Sequence, residues 1–124
     1  MLKKIEGNFF YLTKRTTNHE QKSIKRLAKC FRSMKDIYKQ MLLDLQGNIP
    51  IGEEIQGNQN FYKARYPNPE AGRGKSRGFR VIYFLDGEKK IIILVDIYSK
   101  TDQIDVNWDK VTRAMVEIEE KEKE

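Results

Sequence analysis

The side chains best suited to chemistry in this 124-residue chain are cations and tyrosines crowded between Phe61 and Lys100. That segment reads FYKARYPNPEAGRGKSRGFRVIYFLDGEKKIIILVDIYSK and interleaves the longest apolar runs of the chain with Lys63, Arg65, Arg80, Tyr98 and Lys100. A core strand normally excludes charge, so Arg80 inside the run GFRVIYF calls for a functional reason. In extended backbone, successive side chains alternate between faces. Lys63 and Arg65 therefore share one face of their strand, with Tyr62, Ala64 and Tyr66 on the other. By the same alternation Arg80 groups with Ile82 and Phe84, and Asp96 with Tyr98 and Lys100 if the strand extends that far. If the faces align, Lys63, Arg65, Arg80, Tyr98 and Lys100 converge on one concave side of a sheet as a cationic site of phosphate size.

The loop PNPEAGRGKSRG offers a second phosphate contact, because Arg73, Lys75 and Arg77 stand among Gly72, Gly74 and Gly78, which let backbone amides approach an anion. It lacks the G-x-x-x-x-G-K-[ST] spacing of a Walker loop. The competing reading is a solvated connection whose charges keep it soluble. Other chemistries have little material. His19 falls in the first turn of an expected helix, and one His with one Cys supplies neither a zinc ligand set nor a triad. Cys30 reads as a small thiol on a helix, at least half-buried. The carboxylates are scattered or lie in turns and the tail. Metal-independent chemistry by Lys, Arg and Tyr remains, or binding alone, with no cofactor.

Composition sets the frame for these residues. With 39% hydrophobic and 34% charged residues, the chain is expected to form one domain over 1–124 with a modest core and a highly solvated surface. No apolar run reaches transmembrane length and no signal-peptide cleavage pattern is present, so a soluble, cytoplasmic protein is expected. The formal net charge is +6, and the last eight residues, EIEEKEKE, hold five Glu and two Lys, or −3, leaving +9 on residues 1–116. That balance favours a polyanionic partner, nucleic acid or acidic protein, over a merely soluble basic surface.

The elements that must position the cations are legible in outline. GNFFYLT, Gly7 to Thr13, reads as a short strand, and Thr17 three residues before Glu20 has capping-box spacing. Ile24, Leu27, Ala28, Phe31, Met34, Ile37, Tyr38, Met41, Leu42 and Leu45 then form an apolar stripe with a basic opposite face. Ser33 followed by Asp36 suits the cap of a second helix, so the stripe describes either one long bent helix or a hairpin. Gly47 and Pro50 end it, and 48–60 reads as loop. Strands are expected at Phe61 to Tyr66, Phe79 to Leu85 and Lys90 to Tyr98, the last two joined by Asp86-Gly87. Both are apolar on nearly every residue, which predicts a sheet covered on both faces. Asn107 or Asp105 then caps a helix with the stripe Trp108, Val111, Met115 and Ile118, ending in a frayed charged tail over 117–124.

Four stretches taken in order resemble the RelE/ParE toxin superfamily, and HigB-type toxins of type II toxin–antitoxin systems most of all. They are Tyr62-Lys63-Ala64-Arg65, the loop Gly72-Arg73-Gly74-Lys75-Ser76, Gly78-Phe79-Arg80-Val81-Ile82-Tyr83-Phe84, and Ile97-Tyr98-Ser99-Lys100-Thr101-Asp102-Gln103 with Asp105. The likeness covers roughly 61–105, and the order of elements around it agrees. It implies a small α+β domain in which an N-terminal strand and a helical hairpin or long helix pack on a mainly antiparallel sheet, followed by a C-terminal helix.

The resemblance further implies a ribosome-dependent messenger-RNA endoribonuclease that needs no metal and drives a 2′-hydroxyl onto the adjacent phosphate. Such chemistry needs a proton acceptor, cations for the pentacovalent phosphate and an acid for the leaving oxygen. By position Lys63 and Arg65 match the family's basic strand pair, Arg80 its phosphate-stabilising Arg, and Lys100 falls beside its second basic position. Thr101 follows Lys100 where a further Arg is common, and Asn107-Trp108 occupies the place of a C-terminal Tyr, for which Tyr98 is the substitute. Which residue is base and which acid stays open. Implied partners are a cognate antitoxin, expected to be a helix-turn-helix protein with an acidic segment, together with the ribosome and mRNA. The alternatives are a ParE-like gyrase inhibitor and a degenerate RNA- or ribosome-binding relative.

Overall fold

The two periodicities of the sequence become a two-faced sheet with helices on both sides in the computed structural model, which describes residues 13–16, 18–47, 50–71, 78–87, 91–101, 103 and 105–123. Strand β1 (Thr13–Thr16) precedes helices α1 (Asn18–Cys30) and α2 (Met34–Gly47), then β2 (Glu53–Glu54), β3 (Phe61–Tyr66), β4 (Phe79–Asp86), β5 (Ile91–Ser99) and helix α3 (Trp108–Lys123). The sheet order is β1-β5-β4-β3-β2, antiparallel except for the β1–β5 pair. This is the expected α+β arrangement.

The apolar stripe of the helices is interrupted at residues 31–33, so it forms a hairpin rather than one long helix. The break is fixed from outside, where Glu70 Oε1 accepts the Ser33 N–H at 2.7 Å. That bond holds the Glu70 carboxyl below its usual range. Leu27, Met34, Met41 and Leu45 pack on Tyr62, Ala64, Phe79, Val81, Tyr83 and Leu85, which alternate along β3 and β4. Truncating one of these buried Leu or Met side chains to Ala would cost about 2–5 kcal/mol. On the opposite face Ile82, Ile93, Val95 and Tyr98 cluster with Val111 of α3. Trp108 meets Phe61 edge-on, with centroids 5.6 Å apart.

A bulge sets which side chains of β5 reach which face. Ile82 pairs with Asp96 but Tyr83 pairs with Leu94, leaving Val95 as an extra residue. Without that insertion Ile92, Leu94, Asp96 and Tyr98 would all point toward α1 and α2. With it, Ile97 enters the helix-backed core while Asp96 and Tyr98 join the Arg80 face. A second constraint acts at the start of β4. A Cβ at Gly78 would lie 1.9 Å from the Tyr66 carbonyl oxygen, so only glycine lets β4 enter this close to the end of β3.

Several expectations change. The segment 48–60 is not all loop, because Glu53 and Glu54 pair with Lys63 and Tyr62. The N-terminal strand is described at Thr13–Thr16, whereas residues 7–12 and Thr17 of the proposed capping box lie outside the described residues. Asp86 belongs to β4 and pairs with Ile91, so it is a strand residue rather than the first residue of a two-residue Asp-Gly turn. Helix α3 runs from Trp108 to Lys123.

Candidate phosphate site on the sheet

Cross-strand register brings the cations together. Arg65 pairs directly with Arg80, and Arg80 pairs directly with Tyr98, making one row across β3, β4 and β5. The neighbouring row holds Lys63, Ile82 and Asp96, and β2 extends it with Glu53. Like charges directly opposite on a ladder destabilise it by a few tenths to about 1 kcal/mol, so an Arg65–Arg80 pair is a cost that an anion between them would offset.

Arg80 is 4% exposed, and one guanidinium nitrogen donates to the Phe79 carbonyl at 3.3 Å. Its burial, followed by the charge of Arg65, disfavours the charged form, and Tyr98 opposes them. Arg65 is exposed and Lys63 half-buried, as alternation on β3 requires. Tyr98 is 1% exposed, and its hydroxyl has no hydrogen-bond partner among the described residues. Burial, with the charges of Asp105 and Asp96 behind it, pushes that phenol up to about 12, against the pull of Arg80 and Arg65. At neutral pH it is therefore a proton donor. An unsatisfied buried hydroxyl costs about 1–3 kcal/mol, a penalty that an acceptor arriving at the site would remove.

Asp105 joins this group although its residue type gave no warning of it. Its Oδ1 accepts the Val106 N–H at 2.8 Å and lies 3.4 Å from Lys63 Nζ. The Val106 bond, then Lys63 and Lys100, hold the carboxyl below its usual range. The helix cap falls to Asn107, whose Oδ1 accepts the Lys110 N–H at 3.2 Å, which leaves Asp105 to face the cations. Lys100 sits in the turn after β5, its N–H donating to the Gly78 carbonyl at 2.9 Å. It approaches the site through Asp105 and not as a strand residue.

Two clefts border Lys63 and Arg65. One, about 350 Å³, lies along β3 beyond the end of β2 and is lined by Asp44, Ile51, Gly52, Glu53 and residues 63–67. The other, about 300 Å³, is lined by Glu53, Glu54, Ile55, Gln56, Lys63 and Arg65. The structure thus brings together Lys63, Arg65, Arg80 and Tyr98, with Lys100 at the margin. Arg73, Lys75 and Arg77 lie outside the described residues. Among the described residues no group of three or more His, Cys, Asp and Glu could hold a metal ion. Nor is any helix there long and apolar enough to cross a membrane. Sequence reasoning did not count the carboxylates Asp96, Asp105 and Glu53 as members of the site, although alternation placed Asp96 on the face of Tyr98 and Asp105 follows the run ending in Lys100.

No protein-family model matches the chain. Among solved structures it is similar to a mutant of the E. coli toxin RelE determined in the free state, with a TM-score of 0.51 at 14% identity. The match covers 86% of this chain and 97% of that one. At this identity the likeness is one of fold.

Proposed function

We propose that this chain, on its RelE-like fold, is the toxin of a type II toxin–antitoxin pair of HigB type and cuts messenger RNA on the ribosome. The observation that carries the reading is the row Arg65–Arg80–Tyr98 with Lys63 in the next row. In the proposed reaction a 2′-hydroxyl attacks the adjacent phosphorus and the bond to the next nucleotide's 5′-oxygen breaks, leaving a 2′,3′-cyclic phosphate and a 5′-hydroxyl. Arg65 and Arg80 stabilise the charge that builds on the phosphoryl oxygens, and Arg80 is a donor already placed and dehydrated by its burial. Tyr98 keeps its proton until about 12 and so serves as hydrogen-bond donor to the phosphate or acid for the leaving oxygen. Lys63 and Lys100 are the amines at hand for the proton released by the 2′-hydroxyl.

An acidic antitoxin segment is the fitting inhibitor, since opposite charge steers association and coverage excludes RNA. The test is controlled expression in a bacterial cytoplasm with mapping of transcript ends. Growth arrest with new codon-phased ends supports the reading, and their absence overturns it. One observation favours a second reading, binding to the ribosome without cleavage: Asn107 is engaged as a helix cap where cleaving relatives are expected to carry Tyr. Co-sedimentation with ribosomes and no new transcript ends would select it.

A further inference from the structure

Charge on the opposite side of the molecule is distributed in another way. Residues 21–40 contain Lys22, Lys25, Arg26, Lys29, Arg32, Lys35 and Lys39 against the single Asp36, so these twenty residues carry +6. That equals the whole formal net charge of the chain, leaving the other residues balanced. All seven cations are exposed, because the apolar stripe of α1 and α2 turns inward to the sheet. None of them stands within 4 Å of a carboxylate among the described residues, although the charge of Arg32 acts on the Glu70 carboxyl.

A surface serving only solubility interleaves both signs. Here Lys22 and Arg26, Lys25 and Lys29, and Lys35 and Lys39 are like-charged neighbours at i, i+4. Each such pair weakens a helix by about 0.2–0.5 kcal/mol. The layer therefore gives up local stability to keep one sign, and a partner of the opposite sign is what makes that arrangement favourable.

We propose that the outer face of α1 and α2 is a second RNA-binding surface, which grips the phosphate backbone of double-stranded RNA and is separate from the site on the sheet. Its chemistry distinguishes it from a surface for single strands and from one for lipid. Single-stranded RNA is held by aromatic platforms on which bases stack, and this face presents exposed Lys and Arg on rigid helices. Of the exposed large apolar residues among those described, Val116 lies on α3 and Leu43 alone borders this face, one turn beyond Lys39, too little apolar surface to anchor it in a lipid interior. Along α1 the charges from Lys22 to Lys29 span about 10 Å, suited to a continuous phosphate ridge. The surface stands whether or not the sheet cleaves RNA.

The test is binding of the full chain, by fluorescence anisotropy, to a blunt RNA duplex of about 20 base pairs and to a short single-stranded RNA, from about 50 to 200 mM salt. Replacing Lys22, Lys25, Arg26 and Lys29 together by Gln is expected to weaken duplex binding at least about tenfold and to flatten its salt slope by about three. Single-strand binding should change little. Arg80→Ala should do the reverse. If the fourfold variant is not folded by circular dichroism, replacement of Arg32, Lys35 and Lys39 by Gln is read in the same way. Unchanged duplex affinity and slope would overturn the proposal. So would binding to vesicles of phosphatidylserine and phosphatidylcholine as tight as binding to the duplex and equally sensitive to the substitutions, which would assign the face to a membrane surface. Loss of duplex binding in the fourfold variant, together with cleavage intact in Arg80→Ala, would sink the sheet-face reading alone.

Discussion

The sheet face and the helical face are both basic, yet they are built on opposite plans. On the sheet the cations stand among carboxylates and a phenol: Lys63 meets Asp105, Arg80 lies beside Tyr98, and Asp96 and Glu53 share the row of Lys63. Arg80 and Tyr98 are buried, so their positions are fixed by the ladder. On α1 and α2 the cations are exposed, long and nearly unopposed. Buried, oriented charge acts strongly at short range, whereas exposed charge of one sign acts at the range of a Debye length, about 10 Å at 0.1 M salt. The first plan suits chemistry at one phosphate, the second suits gathering a polyanion.

The comparison breaks most visibly at Arg80. Arg80→Ala is expected to lower the proposed ribosome-dependent cleavage by about 10²–10³-fold, the usual loss when one preorganised donor to a developing oxyanion is removed. The fold should hold, because the ladder and both cores stay in place and the repulsion from Arg65 is relieved. Primer extension on a defined transcript measures the first effect and a thermal melt the second. Lost cleavage with a collapsed melt would make Arg80 a structural residue instead.

Tyr98 gives the next largest effect. Its phenol titrates near 10 when unfolded and near 12 when folded, so the unfolded chain loses the proton first and stability falls as pH rises through that window. The loss attributable to Tyr98 reaches about 3 kcal/mol. Tyr98→Phe should therefore melt more nearly alike at pH 8 and pH 11 than the unsubstituted chain. An identical alkaline loss in both would show that Tyr98 is not so deeply placed.

This region also shows where the sequence stops being informative. Alternation alone puts Lys63 with Arg65 and Arg80 with Ile82, because a strand has period two. It also groups Asp96 with Tyr98. What alternation cannot supply is the phase between strands, which the bulge at Val95 resets. The convergence of Tyr98 on Arg80 thus depends on one inserted residue that leaves no mark in a nearly continuous apolar run. Glu53 and Glu54 were hidden for a related reason, since two acidic residues in a Gly-rich stretch carry no strand pattern and pair only because β3 offers an edge. The helix break at 31–33 depends on Glu70, distant in sequence. By contrast Phe61 to Tyr66, and the stripe of α1 and α2, depend on local pattern and could be read directly.

Asp105 sharpens the contrast from the sheet side. Its pair with Lys63 is largely exposed, with the carboxylate 72% accessible, so it contributes under about 1 kcal/mol to folding. Its influence lies in holding a negative charge among Lys63, Lys100 and Tyr98. Asp105→Asn should leave the melt nearly unchanged while raising affinity for inorganic phosphate or a short RNA about three- to tenfold. Equal affinity would mean that the carboxylate does not compete for the site.

The smallest effect separates the two plans most cleanly because its sign differs. Lys25 faces solvent, three residues from Lys22 and four from Lys29. Lys25→Glu replaces two repulsions by two attractions, and Glu placed four residues before Lys is the better orientation. The helix should gain roughly 0.5–1 kcal/mol, seen as a higher urea midpoint with unchanged slope. The same substitution should weaken duplex RNA binding, because it removes a cation and adds an anion on the phosphate path. A variant that folds better and binds worse is the signature of charge kept for a partner. If Lys25→Glu instead destabilises the chain, Lys25 is engaged in holding the fold, and the helical face is closer in plan to the sheet than its exposure indicates.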